Sequence, residues 1–460
     1  MSNFEGVEIS IKVVTDKDKT RVLFVEGDGN FADILLSFLV MPLGRVVKML
    51  ANDHVKENRP TIGCIGNIYN SMKALDCSCF CSRRVKESLT DPLSSFDEEC
   101  AGLKLDICDY RPSYYSCHSI CSLSLRKLSV YWDEPVCKCY KNMKLGAGEE
   151  QIQSDRLGKV FTLDDATFIV TDDLHIMPST GTVAEMVTIL GFGKPEGTAK
   201  QDVKLKHKDF VDLYIASLIS ETPLSEVILK KTGQEVKLGK IMLRAKNTES
   251  VPQESDKKQM ILKMVINKST KKLLFARGDK AIVDLLFSFL PISLGGVERL
   301  LAGKPFIKSI DHLYKSVHNA RNKNYFKNSD IEKRLNRSSL AHGYLPKSYV
   351  LNLDEEKLPS DIEKYYVYYQ LSKSFFYGQG KYLRGPKTYM IYDDLTIEPF
   401  YMADIFCNKE EVSPCDLEEL NLTIGPEEAL NLLQAALTTK HALTSGILNP
   451  HRDLDISVHE

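Results

Sequence analysis

The sequence predicts an α+β protein built from two tandem copies of one unit. Three observations lead there. "VLFVEGDGNFADILLSFLVMPLG", beginning at Val22, returns as "LLFARGDKAIVDLLFSFLPISLG", beginning at Leu273. Residue i matches residue i+251 across some forty positions without a gap, and Gly27, Asp28, Asp33, Ser37, Phe38, Leu39, Leu43 and Gly44 all find identical partners. Such density marks an internal duplication, and its long period fits domain-sized copies and excludes a solenoid. The second observation is the alternation in "EISIKVV", where Ile9, Ile11 and Val13 share one face as in a half-buried strand. The third is that helical patterns follow the strands without a regular βαβ rhythm, which is the α+β pattern.

Each element follows in order. "TDKDKT" is a polar turn and "RVLFVE" a second strand, so each copy opens with a β-hairpin. Asp28 or Asn30 then caps a helix with Leu35, Leu36 and Leu39 on one side. The helix must stop near Pro42 in copy one and Pro291 in copy two, since proline lacks the amide proton of a helix interior. The two prolines are not aligned, yet both lie inside the same break, so the break is the preserved feature. "LGRVVKML" reads as a second short helix.

The echo continues beyond the break. "IYNSM" (68–72) recurs as "LYKSV" (313–317), and "FIVTDDLHIMP" (168–178) as "YMIYDDLTIEP" (389–399). "DLYIASLISETPLSEVIL" (212–229) recurs as "NLLQAALTTKHALTSGIL" (431–448), so an amphipathic helix closes each copy. The predicted organisation is a first copy over 8–240, with a Cys-rich segment at 64–139, and a second copy over 260–450 without that cluster. Residues 247–259, "NTESVPQESDKKQ", have linker composition.

Composition excludes several classes. The chain of 460 residues is 43% hydrophobic and 27% charged, ordinary values for globular protein. A net charge of only −2 gives no basic footprint for nucleic acid. No apolar run approaches the roughly 18–20 residues a bilayer helix needs, and the first residues lack a secretory pattern. The expected compartment is cytoplasm or nucleus, where thiols stay reduced.

Ten of the twelve cysteines fall between Cys64 and Cys139. Zinc takes four thiolate or imidazole ligands, usually as two pairs joined by a loop. Cys117 and Cys121 form one such pair, Cys137 and Cys139 the other, with 15 residues between. The loop length suits a zinc ribbon, while Cys-x3-Cys and Cys-x-Cys depart from the common Cys-x2-Cys. Three readings stand open: structural zinc, packed apolar thiols, or redox-sensitive thiols. The aligned stretch of copy two, "YYVYYQLSKSFFYGQGKY", has no cysteine, so a zinc site would belong to copy one alone and would be structural.

Other candidates have simpler explanations. "GDGN" (27–30) between strand and helix lacks the Lys-Ser/Thr of a phosphate loop and reads as a turn with a helix cap. Asp172 and Asp173, like Asp393 and Asp394, are adjacent, so on a strand they face opposite ways; a turn is expected there. His175 becomes Thr396 in the second copy. "RNKNYFKNSDIEKRLNR" (321–337) interleaves Tyr325 and Phe326 with basic residues, which suits either an RNA surface or a solvated helix face.

The hairpin followed by "DILLSFLVMPLGRVVKML", "IGCIGNIYNSM", "FIVTDDLHIMP" and "SLISETPLSEVIL" resembles the plant family termed domain of unknown function 674. The resemblance implies a soluble plant protein, often of tandem copies, with no established activity, catalytic residue or cofactor. It also implies a Cys-rich segment ending in Cys-x-Cys-Gly-Lys; Cys137 and Cys139 match it, and Tyr140 stands at the glycine. The expected function is therefore a non-enzymatic interaction or regulatory module with a protein partner. A hydrolase or transferase with a cleft between the copies is the alternative, and it requires polar residues that differ between copies yet converge in space. RNA binding through 321–337 is a further alternative.

Overall fold

The computed structural model describes residues 8–52, 61–100, 160–179, 198–231, 260–301, 306–319, 325–356, 382–401 and 414–448, apart from 82, 164, 342–343, 346–349 and 385–386, and in addition residue 103 and three two-residue strands between 115 and 145. The predicted linker, 247–259, lies outside the described residues.

Strand β1 (Glu8–Thr15) buries Ile9, Ile11 and Val13 and exposes Glu8, Ser10 and Lys12. It turns through Asp16, whose carboxylate accepts the Thr20 and Arg21 amides at 2.7 and 3.1 Å, into β2 (Val22–Asp28). Asp28 is the cap of helix α1 (Gly29–Ser37), accepting the Phe31 amide at 3.1 Å. Copy two repeats this with β9 (Met260–Asn267), β10 (Leu273–Asp279) and the Asp279-capped helix Lys280–Phe287. With β6 (Thr167–Thr171), β7 (Ile176–Pro178) and β8 (Ala199–Lys206), the first hairpin forms a sheet of order β7-β6-β2-β1-β8. With β11 (Thr388–Ile391), β12 (Ile397–Pro399) and β13 (Leu417–Ile424), the second forms β12-β11-β10-β9-β13. Every pairing in both is antiparallel, and the register is kept: Ile9 faces Leu205 as Met260 faces Ile424. The fold is thus α+β, two copies each opening on a hairpin.

One expectation changes. Helix α1 is not apolar on one side only: Phe31, Ala32, Ile34, Leu35 and Leu36 are all buried, and Leu39 falls in the 3-10 turn Phe38–Val40. A helix apolar on all sides is a buried helix. Beyond its own sheet, α1 sets Phe31 against Phe210 of helix His207–Ile219, with ring centroids 6.5 Å apart.

The break after α1 lies where the copies meet. Pro42 and Ser293, i and i+251, form an antiparallel bridge. The Leu43 amide donates to the Ile292 carbonyl at 2.8 Å, and the Leu294 amide donates to the Met41 carbonyl at 3.0 Å. Each bond is the other with the copies exchanged, so this point lies on a local pseudo-twofold axis. Neither donor is a proline, which is why Pro42 and Pro291 are both compatible with the same break.

Beyond the axis each copy lends a segment to the other. Helix α2 (Leu43–Asn52) leads to α3 (Ile65–Ala74), which packs on β12 and on helix Lys280–Phe287 of copy two. In return helix Lys308–Asn319 of copy two packs on β7, on the 3-10 turn Phe38–Val40 and on helix His207–Ile219 of copy one. The anchoring bonds repeat: Ser71 Oγ accepts the Ile397 amide at 2.8 Å, and Ser316 Oγ accepts the Ile176 amide at 2.9 Å. Phe80 bridges to Leu383, and Phe326 to Thr162, with paired backbone bonds on each side. One apolar core therefore runs through both copies, with a small separate cluster of Val265, Phe275 and Met390 on the second sheet. Among the described residues no helix is long and apolar enough to cross a membrane.

Candidate functional site at the junctions between the copies

Cys117, Cys121, Cys137 and Cys139 lie outside the described residues. Among the described residues, no three His, Cys, Asp or Glu side chains come together to hold a metal ion, and no described cysteine is in a disulfide. Cys64 is buried at the start of α3, where burial, with Asp394 and Asp393 adding, pushes its thiol up to about 12. Such a thiol is an inert packing residue. Cys79 is buried beside the Phe80–Leu383 bridge, and Lys387 Nζ donates to its sulfur at 3.4 Å.

The acids shared by the two copies are engaged by the backbone. Asp33 accepts the amides of Val160, Phe161 (3.1 Å) and Thr162 (2.9 Å); its equivalent Asp284 accepts those of Tyr382 (3.1 Å) and Leu383 (3.0 Å). Burial pushes Asp33 up to about 6 and Asp284 up to about 7, with those amides pulling the other way. Each carboxylate thus fixes the segment that leads into its sheet, ahead of β6 or β11. Asp172 accepts the Ser225 amide and hydroxyl at 2.8 and 2.6 Å, and Asp393 does the same for Thr444 at 2.8 and 2.9 Å. Both "DDL" stretches are turns, with Leu174 and Leu395 at φ 63° and 60°. The glycine of "GDGN" has a packing reason: a Cβ on Gly27 would stand 2.6 Å from Phe31 Cδ1, and one on Gly278 2.9 Å from Ile282 Cβ. The helix N-terminus beyond it already holds the Asp28 carboxylate, which leaves no vacancy for a phosphate.

The junctions differ where their polar residues differ. In the first, Asp173 and His175 from the sheet of copy one meet Lys308 and His312 from the lent helix of copy two. Asp173 Oδ2 lies 3.2 Å from His312 Nδ1 and 3.4 Å from Lys308 Nζ, while Thr171 Oγ1 donates to Asp173 Oδ1 at 2.6 Å. The His175 and His312 rings stand edge to face at 6.2 Å. Burial works to raise the Asp173 carboxyl, but His312, Thr171 and Lys308 outweigh it and hold it well below the usual range. In the second junction the corresponding residues are Asp394, Thr396, Gly63 and Asn67. There Asn67 Nδ2 donates to the Asp394 carbonyl at 2.8 Å, and the charged contact is gone. Glu298 is another divergence. It is 1% exposed, faces Asp311 and Lys315, and takes the place of Val47; burial, with Asp311 adding, pushes its carboxyl well above the ordinary value.

An aspartate hydrogen-bonded to one imidazole nitrogen is the orienting half of an acid–base pair, but Asp173 and His312 Nδ1, though 3.2 Å apart, lack hydrogen-bond geometry. The flanking hydroxyls are already committed. Thr171 donates to Asp173, and Ser316 donates to the His312 carbonyl at 2.7 Å. The set as it stands is an ion cluster that joins the copies. Sequence reasoning noted that His175 has no match in copy two but missed His312 and Lys308. A position-by-position comparison at the 245-residue offset of "IYNSM" and "LYKSV", setting His312 against Asn67 and Lys308 against Gly63, would have found them.

The stretch 321–337 does not offer stacking rings: Tyr325 and Phe326 are buried, and Tyr325 packs edge-on against Phe168 at 5.3 Å. Arg334 lies over the Phe96 ring at 4.3 Å and pairs with Glu99 and Glu356.

The family model described as "Protein of unknown function (DUF674)" matches residues 5–407. The chain belongs to the DUF674 family. The DUF674 match takes in both hairpins, both breaks and both lent helices, and ends between β12 and β13. No curated protein and no solved structure matches this DUF674 chain.

Proposed function

We propose that this protein is a non-enzymatic interaction or regulatory module acting on a protein partner in the cytosol or nucleus. The observation that carries this reading is the engagement of the shared polar residues: Asp28, Asp33, Ser71 and Asp172, with their counterparts Asp279, Asp284, Ser316 and Asp393, all bind backbone amides and so build the fold. Residues preserved by duplication for catalysis would leave titratable groups facing a cleft. The Cys-rich segment completes the proposal, with Cys117, Cys121, Cys137 and Cys139 supplying four thiolates to one structural zinc. Metal analysis of the purified full-length chain tests that part: one zinc per chain, lost on joint Cys137→Ser and Cys139→Ser substitution, is expected, and a metal-free chain refutes it. The module reading is overturned if an unbiased metabolite screen finds turnover that one polar substitution abolishes.

A second reading, a hydrolase or transferase working between the copies, is favoured by the first junction, where Asp173, His175, Lys308 and His312 differ from their counterparts and converge. It expects His312→Gln to abolish any turnover found in the screen. Turnover unchanged in that variant sinks it.

A further inference from the structure

The bonds on the axis are reciprocal. Leu43 binds Ile292 and Leu294 binds Met41, each pair converting into the other when the copies are exchanged. The lent segments are reciprocal too: the bonds from Cys81 to Tyr382 and from Arg384 to Cys79, both 2.8 Å, return as those from Lys327 to Phe161 and from Leu163 to Tyr325, 2.8 and 2.9 Å. An interface that pairs the same patch on both partners is the isologous kind that builds twofold dimers. Here both partners lie in one chain. Each copy is incomplete alone, because α3, with Ile65, Ile68 and Met72 buried, packs on β12 and helix Lys280–Phe287 of copy two, and helix Lys308–Asn319, with Ile310, Leu313 and Val317 buried, packs on β7 and helix His207–Ile219 of copy one.

We infer that this interface is a self-recognition surface whose fitting partner is the corresponding half of a second copy of this chain, so that a half accepts its mate in trans as well as in cis. The contacts in trans are those seen here, with copy one of one chain lying against copy two of the other. Only the connection differs. Tethering within one chain gives the cis mate an effective concentration on the order of millimolar, so the closed chain dominates at low protein concentration. The inference stands whether or not the protein is a catalyst, because it rests on the interface and not on the polar cluster.

The test uses the full chain with a protease site inserted between Glu254 and Ser255, within the polar stretch 247–259. After cleavage the halves are expected to elute together at the size of the intact chain. Their thermal midpoint is expected to rise by about 2 °C per tenfold increase in concentration, from the roughly 0.7 kcal/mol of unfolding enthalpy per residue. The uncut chain should show no such dependence. Mixing two cut preparations carrying different tags should then give mixed pairs. Separate elution of two folded halves, or a cut pair whose midpoint ignores concentration and which never exchanges tags, overturns the inference.

Discussion

Replacing Asp33 by alanine measures how much the shared acids hold the fold together. The substitution removes the carboxylate that accepts the Val160, Phe161 and Thr162 amides, in a position with no solvent access. A buried donor left unpaired costs about 1–3 kcal/mol. Three amides at the low end give about 3 kcal/mol. The low end applies because the buried carboxylate itself carries a cost: its rise to about 6 means roughly 3 kcal/mol against the charged form at neutral pH, relieved by the substitution. Asp284 accepts two amides and rises further, to about 7, so Asp284→Ala should cost less, about 2 kcal/mol. Urea denaturation followed by circular dichroism at pH 7 reads both. Asp33→Asn keeps one acceptor oxygen and should fall between wild type and alanine. The reasoning fails if Asp33→Ala costs under about 1 kcal/mol, or if Asp284→Ala is the more damaging change.

The same two acids set a pH dependence, and Glu298 and Asp172, whose carboxyls burial also raises, act in the same sense. Their folded values lie above the unfolded one, so the folded state binds more protons between about pH 4 and 7. Stability is then full below that window and is lost as pH rises through it, at up to about 1.4 kcal/mol per pH unit for each acid. Asp173 is lowered and acts in the opposite sense, but its window lies below the ordinary carboxylate value and does not overlap. Denaturant midpoints should therefore be higher at pH 5 than at pH 7.5, and a flat profile would contradict the burial of these groups. Gly63 sits at φ 48°, and a Cβ there would meet the Ala436 carbonyl oxygen at 2.4 Å; Gly63→Ala should lose about 2 kcal/mol or more, measured by thermal melting. Ser71→Ala and Ser316→Ala should each cost about 1–3 kcal/mol, since each strips a buried amide of its acceptor, and the two costs should add in a double variant.

The amino-acid sequence by itself determined the local structure and the duplication. Alternation of Ile9, Ile11 and Val13 gave the first strand, Asp28 or Asn30 the cap, and Pro42 the break, because each depends on neighbours a few residues away; the structure chose Asp28. The i+251 correspondence needed only the sequence read against itself. The meeting of Pro42 with Ser293, the loan of α3 to the second sheet, and the gathering of Asp173, His175, Lys308 and His312 were decided by tertiary structure alone. Helix Lys308–Asn319 has an apolar face that would fit either sheet, since the two sheets carry the same strands in the same order. Burial rewards any apolar cover alike, so pattern cannot say whose sheet a helix covers. The choice between an own and a lent helix was made by the path of the chain through the break, and with it the place where the divergent charges came together.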